Sequence, residues 1–241
     1  MTGSDLSPNA LGHLAAAGVR IHAGHAAGHL TSDTDLVVYS DAIDEKNPEL
    51  RRAAELGIPS SSYFEALGRI SQDRHTLAVA GTHGKSTTTA MAGELLIEAG
   101  IDPTVVYGAE PLAVGRGGRA GRAGMMLVEA CEYRANFLHL AVDHAVILGI
   151  EADHFDCYDS LHQVTEAFER FTQAVSEDGL LIARAGCGAT EAAAATARCR
   201  VETFGFEATA DWQARILAQR RGRYRFRICR RGRQLAEVQL A

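Results

Sequence analysis

An α/β fold, two units in series and each with a parallel sheet, follows from three features of the sequence. Short apolar runs alternate with amphipathic stretches along most of the 241 residues. One of those runs, 76–80, leads through a glycine-bracketed turn into a helix-compatible stretch. Polar residues at 129 and 151–154 fall directly after other apolar runs, where open α/β sheets carry their ligands.

The first unit reads as short helices and strands in alternation. Residues 9–17 suit a helix, 20–22 a short strand and 36–40 a buried strand. Residues 47–56 suit a helix with Pro48 in its first turn, Ile58 begins another short strand, and 63–71 another helix. Near 71–74 the pattern restarts more strongly, with strands expected at 76–80, 104–107, 125–129, 145–150 and 180–183. Between the last two, Leu161, Val164, Phe168, Phe171 and Val175 recur at helical spacing, and Ser160 suits the cap. Residues 111–124, rich in Gly and Arg, read as a solvated loop. At the C-terminal end, strict alternation predicts a half-buried strand with Tyr224, Phe226 and Ile228 inward, and Arg230-Arg231-Gly232-Arg233 as its hairpin turn.

Composition narrows the function classes. The chain is 46% hydrophobic and 22% charged, as globular domains are. A net charge of −6 does not point to nucleic acid, and no apolar run is long enough to span a membrane. Cys131, Cys157, Cys187, Cys199 and Cys229 form no C-x-x-C pair and no even framework, which fits a reducing, cytoplasmic setting. Only two lysines occur, Lys46 and Lys85.

Lys85 stands in the most informative segment, Gly81-Thr82-His83-Gly84-Lys85-Ser86-Thr87. Small residues between a strand and a helix N-terminus let backbone N–H groups close on phosphate oxygens, and the helix end adds partial positive charge. The lysine brings a full charge to the terminal phosphates, and the Ser86 hydroxyl can ligate magnesium. The strict loop pattern has a glycine where this chain has Val79, so the match is to the shorter Gly-x-x-Gly-Lys-Ser form. The expected fold is therefore a small Rossmann-like unit followed by a P-loop ATPase-type α/β domain with a mostly parallel sheet. Glu129 and His154 follow two further strands, so a carboxylate and an imidazole are expected beside the phosphates, holding magnesium or orienting water.

Three segments in this order, Ala80-Gly-Thr-His-Gly-Lys-Ser-Thr-Thr-Thr, Val128-Glu-Ala-Cys-Glu-Tyr-Arg-Ala-Asn-Phe-Leu-His-Leu and Ile150-Glu-Ala-Asp-His, resemble the Mur ligases. The resemblance covers nearly the whole chain and is strongest to members that join L-alanine to UDP-N-acetylmuramate. Thr2-Gly-Ser-Asp-Leu, Ser40-Asp-Ala-Ile and Asn47-Pro-Glu resemble the UDP-sugar unit, and Thr203-Phe-Gly-Phe a late strand of the ATP unit. The resemblance implies a partial UDP-sugar-binding unit over 1–73, with Asp5 and Ser40 toward the substrate, and the central ATP-binding unit over 74–241. It implies ATP-dependent amide formation in peptidoglycan precursor synthesis, through an acyl phosphate on the lactyl carboxylate that the alanine amine attacks. In that chemistry Lys85 contacts the β- and γ-phosphates, Ser86 and Glu129 hold one Mg2+, and His154 contributes to a second metal position.

The family pattern also sets expectations about what this chain lacks. Met1 directly precedes Thr2-Gly3-Ser4-Asp5, so the usual first strand and glycine turn are expected to be missing, as is the third domain. Gly149 stands where an asparagine is usual, and Cys131 and Tyr133 where Asp and Ser are common. Turnover by this chain alone is accordingly not expected. Two alternatives stay open: the ligase that recycles murein tripeptide, and a nucleotide-binding remnant without catalysis.

Overall fold

The computed structural model describes residues 1–7, 11–108, 117–153 and 156–240. The chain divides into two compact units, Met1–Leu67 and Gly68–Ala241, where the sequence suggests a junction at 73–74.

The first unit contains β1 (Thr2–Asp5), α1 (Gly12–Ala16), β2 (Arg20–Ala23), β3 (Val37–Tyr39), α2 (Pro48–Leu56), β4 (Ser60–Ser62) and the start of α3 (Tyr63–Gln72). Residues 9 and 10 of the expected first helix lie outside the described residues. The expected sheet is two separate parallel ladders, β1 with β2 and β3 with β4. The strand expected to be buried over 36–40 is also a correction: Val38 is 48% exposed. Among the described residues β3 pairs only with β4, and its alternating side chains put Val38 on a face open to water. Helix α2 forms where expected, because Asn47 Oδ1 accepts from the Glu49 and Leu50 amides and Pro48 fits the first turn. Gly57, at φ 68°, ends it in a left-handed cap.

The second unit is built on one ten-stranded sheet. Its strands are β5 (His75–Ala80), β6 (Thr104–Val106), β7 (Gly118–Arg119), β8 (Met125–Glu129), β9 (Val142–Ile147), β10 (Val175–Arg184), β11 (Arg200–Gly205), β12 (Trp212–Arg220), β13 (Arg223–Arg230) and β14 (Arg233–Leu240). The order is β14-β13-β12-β11-β10-β9-β5-β8-β6-β7. Pairing is parallel from β6 through β12, and antiparallel at β6–β7, β12–β13 and β13–β14. Helices α4 (Lys85–Glu98), α5 (Leu161–Ala174) and α6 (Gly188–Ala194) follow β5, β9 and β10. The chain leaves β5 toward β6 and β8 on one side, then crosses to β9 on the other. The carboxyl end of β5 is thus a topological switch point, where α/β sheets open a crevice.

Central strands buried on both faces read as continuous apolar runs, as Met126-Leu127-Val128 and Ala78-Val79-Ala80 do here. Helix α5 lays Val164, Phe168 and Phe171 on this core, and Phe171 stacks on Phe137 at 4.6 Å between ring centres. Ser160 caps α5 by accepting from the Gln163 amide.

Three expectations are corrected in this unit. Strand β9 ends at Ile147 rather than Ile150, because residues 148–149 turn over the glycine loop after β5: the Leu148 amide donates to Ala80 O, and Gly149 O accepts from the Thr82 amide. Part of the expected loop over 111–124 is strand β7, and residues 111–116 lie outside the described residues. Arg119 and Arg122 there pair with Asp102, and the Arg119 guanidinium leads in holding its carboxyl at about 2. In β13, Tyr224 is 40% exposed, Phe226 and Ile228 are half-buried, and Cys229 is the buried residue. Cys229 lies on the face opposite Tyr224, Phe226 and Ile228, and the register shift beside it leaves the extra residue, Leu235, on β14. The turn at Arg231-Gly232 forms as expected.

Candidate functional site

The site is assembled at the end of β5. Gly81 (φ 131°) and Gly84 (φ 83°) hold backbone conformations that side chains disfavour, and a Cβ on Gly81 would meet Leu148 at 3.0 Å. Helix α4 starts at Lys85 with no side-chain cap at its N-terminus. Its first amides are therefore not satisfied by a capping side chain, which suits an anion.

Each side chain of the loop has a distinct place. Thr82 is a buried staple: its Oγ1 accepts from the Glu151 amide at 2.9 Å, tying the loop to the segment after β9. The His83 side chain is exposed and lies 3.8 Å from Glu151. Lys85 Nζ donates to Gly81 O at 2.7 Å, Thr82 O at 3.2 Å and Glu132 Oε1 at 2.8 Å. Ser86 Oγ donates to Glu129 Oε1 at 3.1 Å, and Thr87 is exposed in the first turn of α4.

Glu129 reaches this position because β8 lies directly beside β5, with Val79 opposite Glu129 in the ladder. Its other oxygen accepts from the Gly108 amide at 2.7 Å. His154, expected to join the carboxylate, lies outside the described residues.

The turn after β8 places a residue the sequence reading passed over. Glu132 is 1% exposed and carries its carboxylate to Lys85. Tyr158 Oη donates to Glu132 O at 2.6 Å, and Arg134 and Ala135 adopt positive φ to make the turn. Burial raises the Cys131 thiol and the Tyr158 phenol above their ordinary ranges. The available signal was an acid three positions past Glu129 in a run that is otherwise largely apolar. A cavity of about 440 Å³ adjoins the loop, lined among others by His83, Gly84, Leu148, Arg184, Phe204 and Phe206.

Among the described residues no group of three or more His, Cys, Asp or Glu could hold a metal by itself. Magnesium does not require one, since it binds through one or two protein oxygens with phosphates and water completing the shell. A hydroxyl and a carboxylate 3.1 Å apart at the mouth of an uncapped loop fit that chemistry.

In the first unit, Asp5 and Ser40 line one cavity of about 350 Å³ with Ser4, His25, Tyr39, Asn47 and Glu49. Glu49 is its hub, accepting from Ser4 Oγ at 2.6 Å and the Ala26 amide at 3.3 Å and bonded to His29 Nδ1 at 2.7 Å. Burial pushes its carboxyl up, but the bonds from Ser4, His29 and Ala26 outweigh it and leave the group below its ordinary range.

Residues 79–241 match the Mur ligase middle domain, and residues 1–75 match the catalytic domain of the Mur ligase family. The UDP-N-acetylmuramate–L-alanine ligase of Clostridium kluyveri is 34% identical over 244 residues, covering 100% of this chain and 53% of that protein. The chain spans about half the length of the curated relatives it matches. In fold it is similar to UDP-N-acetylmuramate:L-alanyl-gamma-D-glutamyl-meso-diaminopimelate ligase from Neisseria meningitides, at a TM-score of 0.85, 24% identity, 98% of this chain and 78% of that one. UDP-N-acetylmuramate-alanine ligase from Thermotoga maritima aligns at a TM-score of 0.77, 24% identity, 99% of this chain and 54% of that one. A glycine loop at a switch point, a serine facing a carboxylate, and family matches that together run nearly end to end lead to one conclusion: the chain belongs to the Mur ligase family.

Proposed function

We propose that the chain forms the UDP-sugar and nucleotide-binding parts of an ATP-dependent ligase that joins L-alanine to UDP-N-acetylmuramate in peptidoglycan precursor synthesis. The observation that carries the nucleotide half is the uncapped start of α4, where Lys85, Ser86 and Glu129 converge. The names of relatives at 34–36% identity over the whole chain support the substrate assignment.

In this reading the amides of 81–87 bind the phosphates of ATP, and Lys85 pairs with the β- and γ-phosphates. Ser86 and Glu129 hold Mg2+, and His154 serves a second metal position. A metal held there would supply positive charge against the phosphates. The cavity between His83 and Phe206 takes the base. Residues 1–73 form the UDP-sugar unit, with Asp5 and Ser40 at its cavity, and residues 74–241 the nucleotide unit. The lactyl carboxylate attacks the γ-phosphorus and ADP leaves. The alanine amine then attacks the acyl carbon, phosphate leaves, and the amine gives up a proton. Activation is required because a carboxylate is a poor electrophile, and the protein's part is alignment and charge neutralisation. Among the described residues no helix is long and apolar enough to cross a membrane. Five free cysteines support a reducing, cytoplasmic setting.

Calorimetry tests the nucleotide half: the parent chain binds Mg-ADP, and Lys85→Ala loses most of that affinity. Equal affinity in both removes the loop from the reading. UDP-N-acetylmuramate binding to the first unit, weakened by Asp5→Asn, tests the substrate. In a protein that joins this chain to the remaining length its relatives carry, phosphate release that depends on L-alanine supports the assignment. Dependence on murein tripeptide instead would move it to the recycling reaction.

A further inference from the structure

An ammonium group has three N–H bonds. In Lys85 all three are committed, to Gly81 O, Thr82 O and Glu132 Oε1 at 2.7, 3.2 and 2.8 Å. The two carbonyls belong to the loop itself and travel with it. Glu132 does not: it comes from the turn after β8, where its backbone oxygen accepts from Tyr158 Oη at 2.6 Å and from the Ala135 amide at 2.9 Å. The pair is enclosed, with side-chain exposures of 14% for Lys85 and 2% for Glu132.

A phosphate oxygen can bond Lys85 only if one of the three partners yields. We propose that Glu132 is a positioning residue that occupies the third N–H of Lys85 until a phosphate oxygen takes its place. The inference rests on the nucleotide reading above and concerns how that site is held ready. An enclosed ammonium without a counter-charge is unfavourable. Glu132 supplies that charge while the loop is free of ligand, and so keeps the ammonium over the cradle. The same carboxylate opposes the incoming phosphate twice, by holding the donor and by like-charge repulsion.

This exchange gives a sign that a purely structural role does not. If Glu132 only braced the turn, removing its charge would loosen the loop and weaken nucleotide binding. Under the exchange, Glu132→Gln binds ADP more tightly, on the order of tenfold, the scale of one charge-assisted hydrogen bond. The measurement is calorimetry with ADP in EDTA, which keeps Glu132 from acting through a metal. The gain disappears in the Lys85→Ala background, since the effect passes through that ammonium. Should Glu132→Gln fail to fold, Glu132→Asp shortens the carboxylate's reach and is read in the same way.

A second readout needs no nucleotide. The chain has only two lysines, so reductive methylation followed by mass spectrometry reports Lys85 directly, with exposed Lys46 as internal standard. Lys85 is methylated faster in Glu132→Gln than in the parent, while Lys46 is unchanged. Equal or weaker ADP binding in Glu132→Gln, or a gain that persists in Lys85→Ala, overturns the inference. Should no variant bind ADP at all, the nucleotide reading fails, and an unchanged Lys85 methylation rate then overturns the Glu132 contact separately.

Discussion

Gly108 offers a way to disturb the Glu129 carboxylate, proposed above to hold Mg2+, without touching it. A Cβ at this position would lie 2.5 Å from Glu129 Oε1 and 2.8 Å from Oε2. Neither distance is tolerable, so in Gly108→Ala the Glu129 carboxylate must swing away. In doing so it gives up the Gly108 amide at 2.7 Å and the Ser86 hydroxyl at 3.1 Å. Each is a hydrogen bond to a charged group, of about 1.5–3 kcal/mol. The backbone need not move, because the clashing atoms are the end of a side chain at a partly open site. Gly108 is also not held in the left-handed region. Alanine there removes freedom from the unfolded chain, a gain of about 0.4–1 kcal/mol that offsets part of the lost bonding. The two bonds together are about 3–6 kcal/mol and the gain offsets about 0.4–1, so the expected outcome is a melting temperature lowered by about 4–22 °C, at 2–4 °C per kcal/mol for a chain of this size. The enhancement of ADP affinity by Mg2+ falls about tenfold or more, the equivalent of about 1.4 kcal/mol or one such bond. Calorimetry with ADP, with and without Mg2+, measures it. An unchanged Mg2+ enhancement in a folded Gly108→Ala protein would refute the placement of Glu129 at the metal.

Other substitutions probe different levels of the structure. Thr82→Val keeps the shape of the staple but leaves the Glu151 amide without its 2.9 Å acceptor, a loss of about 1–3 kcal/mol; hydrogen exchange at residues 149–151 should accelerate while β8 stays protected. Phe171→Ala empties a site at 1% exposure between Phe137 and the sheet, and should lower urea stability by about 3–5 kcal/mol. Glu49 has its carboxyl lowered from 4.5 in the folded state, so it binds protons less readily folded than unfolded. Its stabilising contribution is complete above pH 4.5 and is lost as pH falls through the lower folded value; Glu49→Gln should flatten the acid limb of the thermal stability profile. An identical acid limb in parent and variant would show that the Ser4, His29 and Ala26 bonds do not hold Glu49 ionised.

How much of this was legible in the sequence depends on how local each feature is. The loop 81–87, the strand before it, helix α2 with its Asn47 cap, the Ser160 cap and the hairpin turn at Arg231-Gly232 are set by neighbours within a few residues. Capping, glycine conformation and apolar periodicity therefore suffice to read them. Glu129 was legible as a candidate because strand β8 ends on it. Its meeting with Ser86 was not, since that depends on β8 lying beside β5, across 43 residues of chain. Lys85 was legible as a charged member of the loop, but its partner Glu132 comes from a left-handed turn that no local pattern announces. The early end of β9 has the same origin. An apolar run promises a strand through Ile150, and the loop after β5 claims Leu148 and Gly149 by backbone hydrogen bonds. Sequence by itself determined the family, the order of α and β elements and the glycine turn of the loop, because each rests on short-range pattern. Tertiary structure decided which carboxylate meets which hydroxyl or ammonium, because only the order of strands in the sheet brings distant residues to one edge.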